Sequence, residues 1–429
     1  MLGVILLILL GAFIAFVAFI AIYLYVRTSS HPSNPPDSDS LLPAAQHEIK
    51  QETDATPFLR NNSLISGGGL REPGWAKQLP WEFHRKDARF LAPLVKEWDY
   101  YCVINKSCAL CFTVADMGYV GSLSCSVVWG LDTESPIECT ETLIAPGTFG
   151  RWNLPGTTKK GQTKGTIKNA FMCFNVVEAT KDDGKKCFQR TLTVEWPDFG
   201  KTKEEYMNSV GLGITASLTL EQSPDDDTIV VNTPFGNWPN DSFLFYYNQK
   251  INAIPASGTA TVGKTQLNFE KKENSDVDSD AYGCLDWGRG LWPYSSDWIW
   301  CSGHGSCAQN DGSKHRVALN LGFGFGNCAT HTENSVFYDG KIVKLGRLRA
   351  DFSKEDFTKN WVFKDEEHKL SLTFTPKLDR FAPTQVVVIS MIAHQVFGTF
   401  EGTLVDEESG LNIKISNIPG WCEYVKNKW

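Results

Sequence analysis

The sequence has no excess of basic residues: Lys and Arg number 41, Asp and Glu 49, and the formal net charge is -8 at pH 7. Binding to nucleic acid needs a basic face, so this balance argues against a nucleic-acid partner. The densest basic patch is spread over residues 159–168, where four Lys residues are interspersed with Gly and Thr. We interpret it as a solvated loop, with contact to anionic lipid headgroups as the alternative.

The sequence also lacks the short motifs that mark common enzyme classes. It has neither a G-x-S-x-G nucleophile elbow nor a P-loop. Cys108 and Cys111 have C-x-x-C spacing, but no second such pair and no His pair completes a zinc site. We therefore predict no metal and no cofactor. Cys108 and Cys111 are interpreted as strand residues that pack as small hydrophobes, with a disulfide as the alternative. His304, between glycines, is expected in a solvated turn.

Charge is absent from Leu2 to Val26. As a helix this stretch would be about 37 Å long, enough to cross a bilayer core of about 30 Å. No Lys or Arg precedes it, and it exceeds a usual signal-peptide core, so residues 1–27 are predicted to be an uncleaved single-pass transmembrane anchor. A cleaved signal peptide is the alternative. We expect a membrane location, in an endomembrane, and the side that the soluble body faces stays open.

Few apolar residues occur between the anchor and residue 78. The stretch is rich in Pro, Ser, Asp and Gln, and residues 33–40 cannot bury enough apolar surface to offset the entropy of ordering. Residues 28–78 are therefore predicted to form a flexible linker that lets a folded body move relative to the membrane.

Helical periodicity is nearly absent from the remaining chain, where only residues 87–101 and 201–210 suggest short helices. Residues 192–196 and 370–374 instead alternate apolar and polar side chains, which is typical of antiparallel strands with one buried face. Asp339-Gly340 between the strand-like triplets at residues 336–338 and 341–343 predicts a two-residue hairpin. We predict an all-β fold of two antiparallel β-domains, 79–255 and 256–429, because the region is too long for one small barrel.

The densest cluster of Trp residues lies between Cys284 and Cys301 and also contains acidic and basic side chains. Trp is costly to expose, and Asp and Arg are almost never buried unpaired, so this segment is either a core corner or a pocket wall. Three interpretations stay open: a buried ion pair that closes a barrel, a group that orients a ligand, or an acid catalyst. The candidate pocket residues are Asp286, Trp287, Arg289, Trp298, Trp300, Glu333 and Asn334.

A family resemblance is carried by residues 96–101, 115–119, 246–250, 285–290, 320–326, 332–334, 379–380, 395–398 and 427–429. On these stretches the chain from Trp98 to Trp429 resembles the uncharacterised proteins grouped as domain of unknown function 2804. This resemblance covers more than three quarters of the chain, and the N-terminal anchor looks like an addition to it.

The resemblance implies an architecture similar to the paired lipocalin-like proteins, which include carotenoid hydratases, fungal cyclising enzymes and a ceramide-carrying survival factor. Two lipocalin-like barrels are therefore expected, with a lipid or isoprenoid bound or transferred in a barrel cavity. In that hypothesis the Trp residues are walls, and Asp286, Arg289 and Glu333 orient a polar head. The alternatives are a cofactor-independent hydratase, isomerase or cyclase, with Asp286 or Glu333 as the acid, and a non-catalytic protein scaffold. The oligomeric state stays open.

Overall fold

The computed structural model describes residues 46–50, 70–87, 95–181, 183–203, 210–238, 243–269, 280–365, 367, 369–386, 389–407 and 409–428. The predicted anchor, Leu2 to Val26, lies outside these residues, as does most of the predicted linker. Within the described ranges, no helix is both long enough and apolar enough to cross a bilayer.

The first of two antiparallel sheets has 13 strands. Its main path runs β5-β4-β3-β2-β13-β11-β9-β8-β7-β6; off this path, β10 and β12 pair with β11, and β1 pairs with β10. The strands are β1 (Gly74–Ala76), β2 (Val95–Ile104), β3 (Cys108–Asp116), β4 (Val120–Trp129), β5 (Ile137–Pro146), β6 (Gly161–Ile167), β7 (Ala170–Thr180), β8 (Lys186–Trp196), β9 (Ile214–Gln222), β10 (Ile229–Pro234), β11 (Phe245–Val262), β12 (Thr265–Asn268) and β13 (Ala281–Leu291).

The second sheet has nine strands in the order β17-β16-β15-β14-β22-β21-β20-β19-β18. The strands are β14 (Ser295–Ala308), β15 (Lys314–Phe323), β16 (Ser335–Tyr338), β17 (Lys341–Lys344), β18 (Leu348–Asp351), β19 (Trp361–Asp365), β20 (Leu370–Val386), β21 (Ile389–Asp406) and β22 (Leu411–Lys428). The sheets form two barrel-like domains, one a nearly closed barrel and the other a half-barrel, so the all-β prediction is confirmed.

The alternating segments bury their apolar face as predicted. In β8, Leu192, Val194 and Trp196 are buried while the residues between them are half-buried or exposed. The predicted hairpin at Asp339-Gly340 joins β16 to β17, and both turn residues have positive φ, 46° and 79°. Positive φ at both central positions is the geometry of the tight turn that fits the twist of paired strands.

The change from the first sheet to the second comes after Leu291, at residues 292–294. The predicted division between residues 255 and 256 falls inside β11, which pairs with β13 across a bulge between Ile251 and Ile254. Ala253 has a φ of 48° at this bulge, so the chain bends without a turn and the strand continues. Because β13 pairs with β2 as well, residues 281–291 belong to the first sheet.

Two predictions about local structure are wrong. Residues 46–50 and 70–78, assigned to the linker, pack on the first sheet: β1 pairs with β10, and Ile49, Leu70 and Trp75 are buried. A few apolar side chains thus hold a segment whose average composition is polar. The suggested helix over 87–101 is strand β2 from Val95 onward, and residues 204–209 of the other suggested helix lie outside the described residues.

The two sheets pack against each other through one face of their central strands. Cys102, Ile104 and Cys284 of the first sheet meet Trp300, Phe397 and Trp421 of the second in one buried cluster. We call this the interface cluster. It sits beside the space that forms the candidate site.

Candidate functional site

A cavity of about 370 Å³ lies between the two sheets. Strands β2–β5, β11 and β13 line it from the first sheet, and β14 and β20–β22 line it from the second. Along β3 the cavity extends from Cys111 to Met117, just past the strand's end, which at about 3.3 Å per residue is roughly 20 Å.

The alternation of each strand shows which face borders this cavity. In β3, Cys111, Thr113 and Ala115 line it, while Phe112 and Val114 point to the opposite face and into the core of the first domain. The interior of the second domain is filled by its own side chains, among them Trp361, Phe374 and Phe400. The sequence-based hypothesis placed the ligand inside a barrel; this cavity instead lies between the outer faces of the two sheets.

An aromatic wall forms one side of the cavity. Trp98, Trp292, Trp298, Tyr246 and Phe325 line it, and most of their contacts are edge to face, with Trp98–Trp292 and Trp292–Phe325 centroids both 4.7 Å apart. Such edge-to-face pairs stabilise a rigid apolar surface. A side chain at Gly288 would displace this wall, because a Cβ there would lie 1.9 Å from the Trp98 ring.

Hydroxyl side chains of β4 and β5 form the opposite side. They pair with each other across the strands: Ser124 Oγ lies 2.9 Å from Thr142 Oγ1, and Thr140 Oγ1 donates to Ser126 Oγ at 3.0 Å. Because these hydroxyls satisfy one another, this side does not require polar partners from a ligand.

Lys250 is the buried cation of the site, and three groups surround it. Its Nζ lies 3.7 Å from Asp286 Oδ1, 3.5 Å from Glu333 Oε2 and 3.6 Å from the centroid of the Trp300 ring. Burial opposes the charge, but the carboxylates Asp286, Glu333 and Glu423 outweigh it and raise the pKa of Lys250. The ammonium therefore stays charged, with its partners supplied by the protein.

Neighbouring side chains hold the carboxylates of Asp286 and Glu333 in place. Asn248 Nδ2 donates to Asp286 Oδ1 at 2.5 Å, and Trp98 Nε1 donates to Asp286 Oδ2 at 3.2 Å. Asn320 Nδ2 donates to Glu333 Oε2 at 3.2 Å while its Oδ1 accepts from Trp300 Nε1 at 2.9 Å. The polar network thus ties the charged groups to the aromatic wall.

Two rows of polar side chains meet at one end of the cavity. Lys250, Asp286 and Tyr100 are register partners across β11, β13 and β2, and Glu423, Gln395 and Arg380 are register partners across β22, β21 and β20. Gln395 Nε2 donates to Tyr100 OH at 3.2 Å, which joins the rows. We call these six residues the polar end. Two residues further along the same strands lies the interface cluster, so the cavity is closed there.

Glu423 is the group of the polar end whose pKa is shifted toward neutrality. Burial raises its pKa to about 7, although the indole N–H of Trp298, which donates to Glu423 Oε1 at 2.7 Å, and the cations Lys250 and Arg380 lower it. A carboxyl group with a pKa near neutrality carries a proton part of the time and can donate it.

We expect the contribution of Glu423 to the stability to fall as the pH rises from about 4.5 to about 7, because folded Glu423 binds its proton more tightly than the unfolded chain does. Glu423→Gln removes this dependence. The unfolding free energy of the variant, taken relative to that of the wild type, should therefore rise by about 2 kcal/mol between pH 5 and pH 8. This figure is reduced because Glu423 is partly exposed to solvent. Thermal unfolding of the full chain in mild detergent measures it, with exposed Glu401→Gln as control. The same relative stability at both pH values would show that Glu423 does not titrate in this range.

The predicted pocket residues fall on two sides of the first sheet. Asp286, Trp298, Trp300 and Glu333 line the cavity. Arg289 and Trp287 do not: Arg289 Nη2 pairs with Asp99 Oδ1 at 2.9 Å, and its guanidinium stacks on Trp287 in the domain interior. Asn334 also lies outside the lining, and its side chain binds the backbone at Gly322 and Gly346.

Sequence reasoning missed Lys250, Glu423, Gln395, Arg380 and Tyr100. A usable signal existed for some of them. Lys250 ends the polar run Asn248-Gln249-Lys250, which lies between apolar residues. Glu423 directly follows the apolar pair Trp421-Cys422. A charged residue flanked by apolar ones in a strand is a candidate for a paired, buried site. Their meeting, however, depends on pairing between distant strands.

Cys108 and Cys111 pack as small hydrophobes, as predicted. All twelve cysteines are free thiols, and Cys108 and Cys111 lie buried on opposite faces of β3. Among the described residues, no group of three His, Cys, Asp or Glu side chains is arranged to hold a metal ion. The prediction for His304 is wrong: it is fully buried on β14, accepts from the Ala253 N–H at 3.2 Å, and burial lowers its pKa to about 3.

Comparison with known proteins identifies a family but no activity. The family model described as "Domain of unknown function (DUF2804)" matches residues 46–429. No curated protein matches the chain. A crystal structure of a protein from Nitrosomonas europaea, described as a "putative AttH", is 12% identical and has a TM-score of 0.40, covering 78% of this chain and 92% of that one. At this level of similarity it carries no argument about function.

Proposed function

We propose that this chain, which belongs to the family described as "Domain of unknown function (DUF2804)", binds a lipid or isoprenoid in the cavity between its two sheets and carries or transfers it. One observation carries the proposal: the cavity of about 370 Å³ has an aromatic wall along its length and charged groups at its closed end. Small-molecule sites are typically concave and apolar, with a few polar groups that fix orientation.

The shape of the cavity supports an elongated ligand. Its lining spans roughly 20 Å along β3, from the polar end past the aromatic wall. The apolar lining reaches the surface of the protein at Ile144, which lines the cavity and is 48% exposed. An apolar molecule would therefore meet an apolar surface on its way in.

We further propose that the apolar stretch Leu2 to Val26 anchors the protein in an endomembrane, with residues 28–45 in the connection to the folded body. A membrane next to the cavity would concentrate an apolar ligand where it is bound. The proposal rests on the sequence of this stretch, which contains no charged residue over 25 positions.

A second candidate function is acid catalysis without a cofactor, as in a hydratase, isomerase or cyclase. The specific observation in its favour is the pKa of Glu423, raised to about 7 beside an aromatic wall that could stabilise a carbocation. The candidate acid is then Glu423, and not Asp286 or Glu333, which both pair with Lys250. Glu423→Gln separates the two functions: a carrier keeps its ligand and its transfer rate, whereas an enzyme binds substrate but loses turnover.

Native mass spectrometry of the full chain, purified in mild detergent, tests the proposed binding. We expect one co-purified apolar molecule per chain, or one added mass after exposure to a total lipid extract. The matched comparison is a variant with its cavity filled, Ala393→Trp, which should show neither. If the wild-type protein shows no added mass in either experiment, the carrier function is refuted and a protein scaffold becomes the better interpretation.

A further inference from the structure

We propose that the ligand of this cavity has a neutral hydroxyl head, and that the polar end selects an apolar alcohol over the corresponding fatty-acid anion. The inference rests on the proposed function, since it names the chemical class that the same cavity binds. It follows from the charge balance of the polar end, from the state of Lys250 and from two hydrogen-bonding atoms that the protein leaves without partners.

The charges around the polar end already balance. Two cations, Lys250 and Arg380, face three carboxyl groups, Asp286, Glu333 and Glu423. When Glu423 holds a proton the formal sum is zero, and when it loses the proton the sum is -1. An anionic head would add a buried negative charge without a counter-charge, which costs more than the burial of a neutral group.

Lys250 is not available to pair with an anionic head. Asp286 and Glu333 lie on either side of its ammonium at 3.7 and 3.5 Å, and the Trp300 ring covers it at 3.6 Å. Lys250 itself is 3% exposed. A ligand carboxylate would have to displace one of two carboxylates that Asn248 and Asn320 hold in place.

Two buried atoms of the polar end do lack partners. Gln395 is 1% exposed, and its Nε2 donates to Tyr100, but its Oε1 accepts no hydrogen bond. Arg380 donates from Nη1 to Ser126 Oγ at 2.6 Å, while its Nε has no acceptor. An orphaned acceptor of this kind is costly unless a ligand satisfies it.

A hydroxyl group matches this pair of atoms, because it donates one hydrogen bond and accepts others. It can donate to Gln395 Oε1 and accept from the adjacent Arg380, its register partner. A carboxylate only accepts, so it would leave Gln395 Oε1 unpaired and repelled. Arg380 alone would attract a carboxylate. Gln395, however, pairs in register with Arg380, and Glu423 pairs in register with Gln395, and both oppose the binding of an anion.

Competition binding to the full chain in mild detergent tests the inference, with radiolabelled dodecanol as the probe. Unlabelled dodecanol, farnesol, laurate and dodecylamine compete at pH 7.5, so that straight-chain and isoprenoid alcohols are compared as well. We expect one of the two alcohols to compete at concentrations at least about tenfold lower than laurate, and better than dodecylamine, whose ammonium group cannot accept from Arg380. Gln395→Leu should weaken that alcohol about tenfold and bind laurate at least as well as wild type does, whereas Gln385→Leu, exposed on the same hairpin, should change neither.

Equal or tighter binding of laurate or of dodecylamine than of both alcohols would overturn the hydroxyl assignment while leaving the carrier function intact. An unchanged alcohol affinity in a folded Gln395→Leu variant would overturn it too. The comparison of ligands on the wild-type protein decides the question if that variant does not fold. Failure of every probe to bind would instead refute the proposed function itself.

Discussion

Replacement of Lys250 by Met is expected to lower the free energy of unfolding by about 3–5 kcal/mol. Met has nearly the same length, so little packing is lost. The loss comes from Asp286 and Glu333, which would keep their negative charges in a buried place without the ammonium that lies 3.7 and 3.5 Å from them. Removal of one partner from a buried ion pair costs far more than the pair contributes when it is intact.

Thermal unfolding of the full chain in mild detergent measures this effect, and the melting temperature should fall by about 6 °C or more. Lys264→Met is the matched control, because Lys264 is exposed in the turn after the same strand and should change the melting temperature by less than about 1 °C. The triple variant that also carries Asp286→Asn and Glu333→Gln should recover part of the loss. A single Lys250→Met variant as stable as the control would contradict the buried network.

Ala393→Trp is expected to abolish ligand binding, with at least a 100-fold loss of affinity and a melting temperature close to wild type. Ala393 is 6% exposed and lies beside Val425 and Ala382 in register, where all three side chains line the cavity. An indole at this position occupies the space of the ligand and packs against the aromatic wall, so it adds contacts instead of forcing backbone apart.

Titration with radiolabelled dodecanol measures the affinity of this variant, and Ala308→Trp, at the exposed end of β14, is the matched control. The control should bind as wild type does. Retained binding in a folded Ala393→Trp variant would show that the ligand sits elsewhere in the molecule. A variant that loses both binding and its cooperative unfolding would be replaced by Ala393→Phe, which fills less of the space.

The strands and their buried faces were predictable from the sequence, since period-two alternation depends only on neighbouring residues. The same alternation determines which residues of one strand can share the candidate site. Asp286 and Arg289 are three residues apart, so one strand places them on opposite faces, and the structure has Asp286 in the cavity and Arg289 in the domain interior. Strand parity alone would have excluded a pocket shared by both.

The location of the cavity was harder to predict, but the sequence of one strand gives an indication of it. The sequence of strand β2, VKEWDYYCVI, does not alternate between apolar and polar residues, and the strand is almost entirely buried. Burial of both faces indicates a strand between two layers, and here the second layer is the other sheet. The pairing of Lys250 with Asp286, and of Gln395 with Glu423, follows from register between distant strands, which no local pattern encodes.

Photo-crosslinking with a diazirine-bearing fatty alcohol, followed by peptide mapping of the full chain, tests the central claim most directly. We expect adducts on residues that line the cavity between the sheets, such as Met117, Ile144 and Met391, and their loss in Ala393→Trp. Adducts confined to the interior of the second domain, for example at Leu372 or Phe374, would contradict that claim.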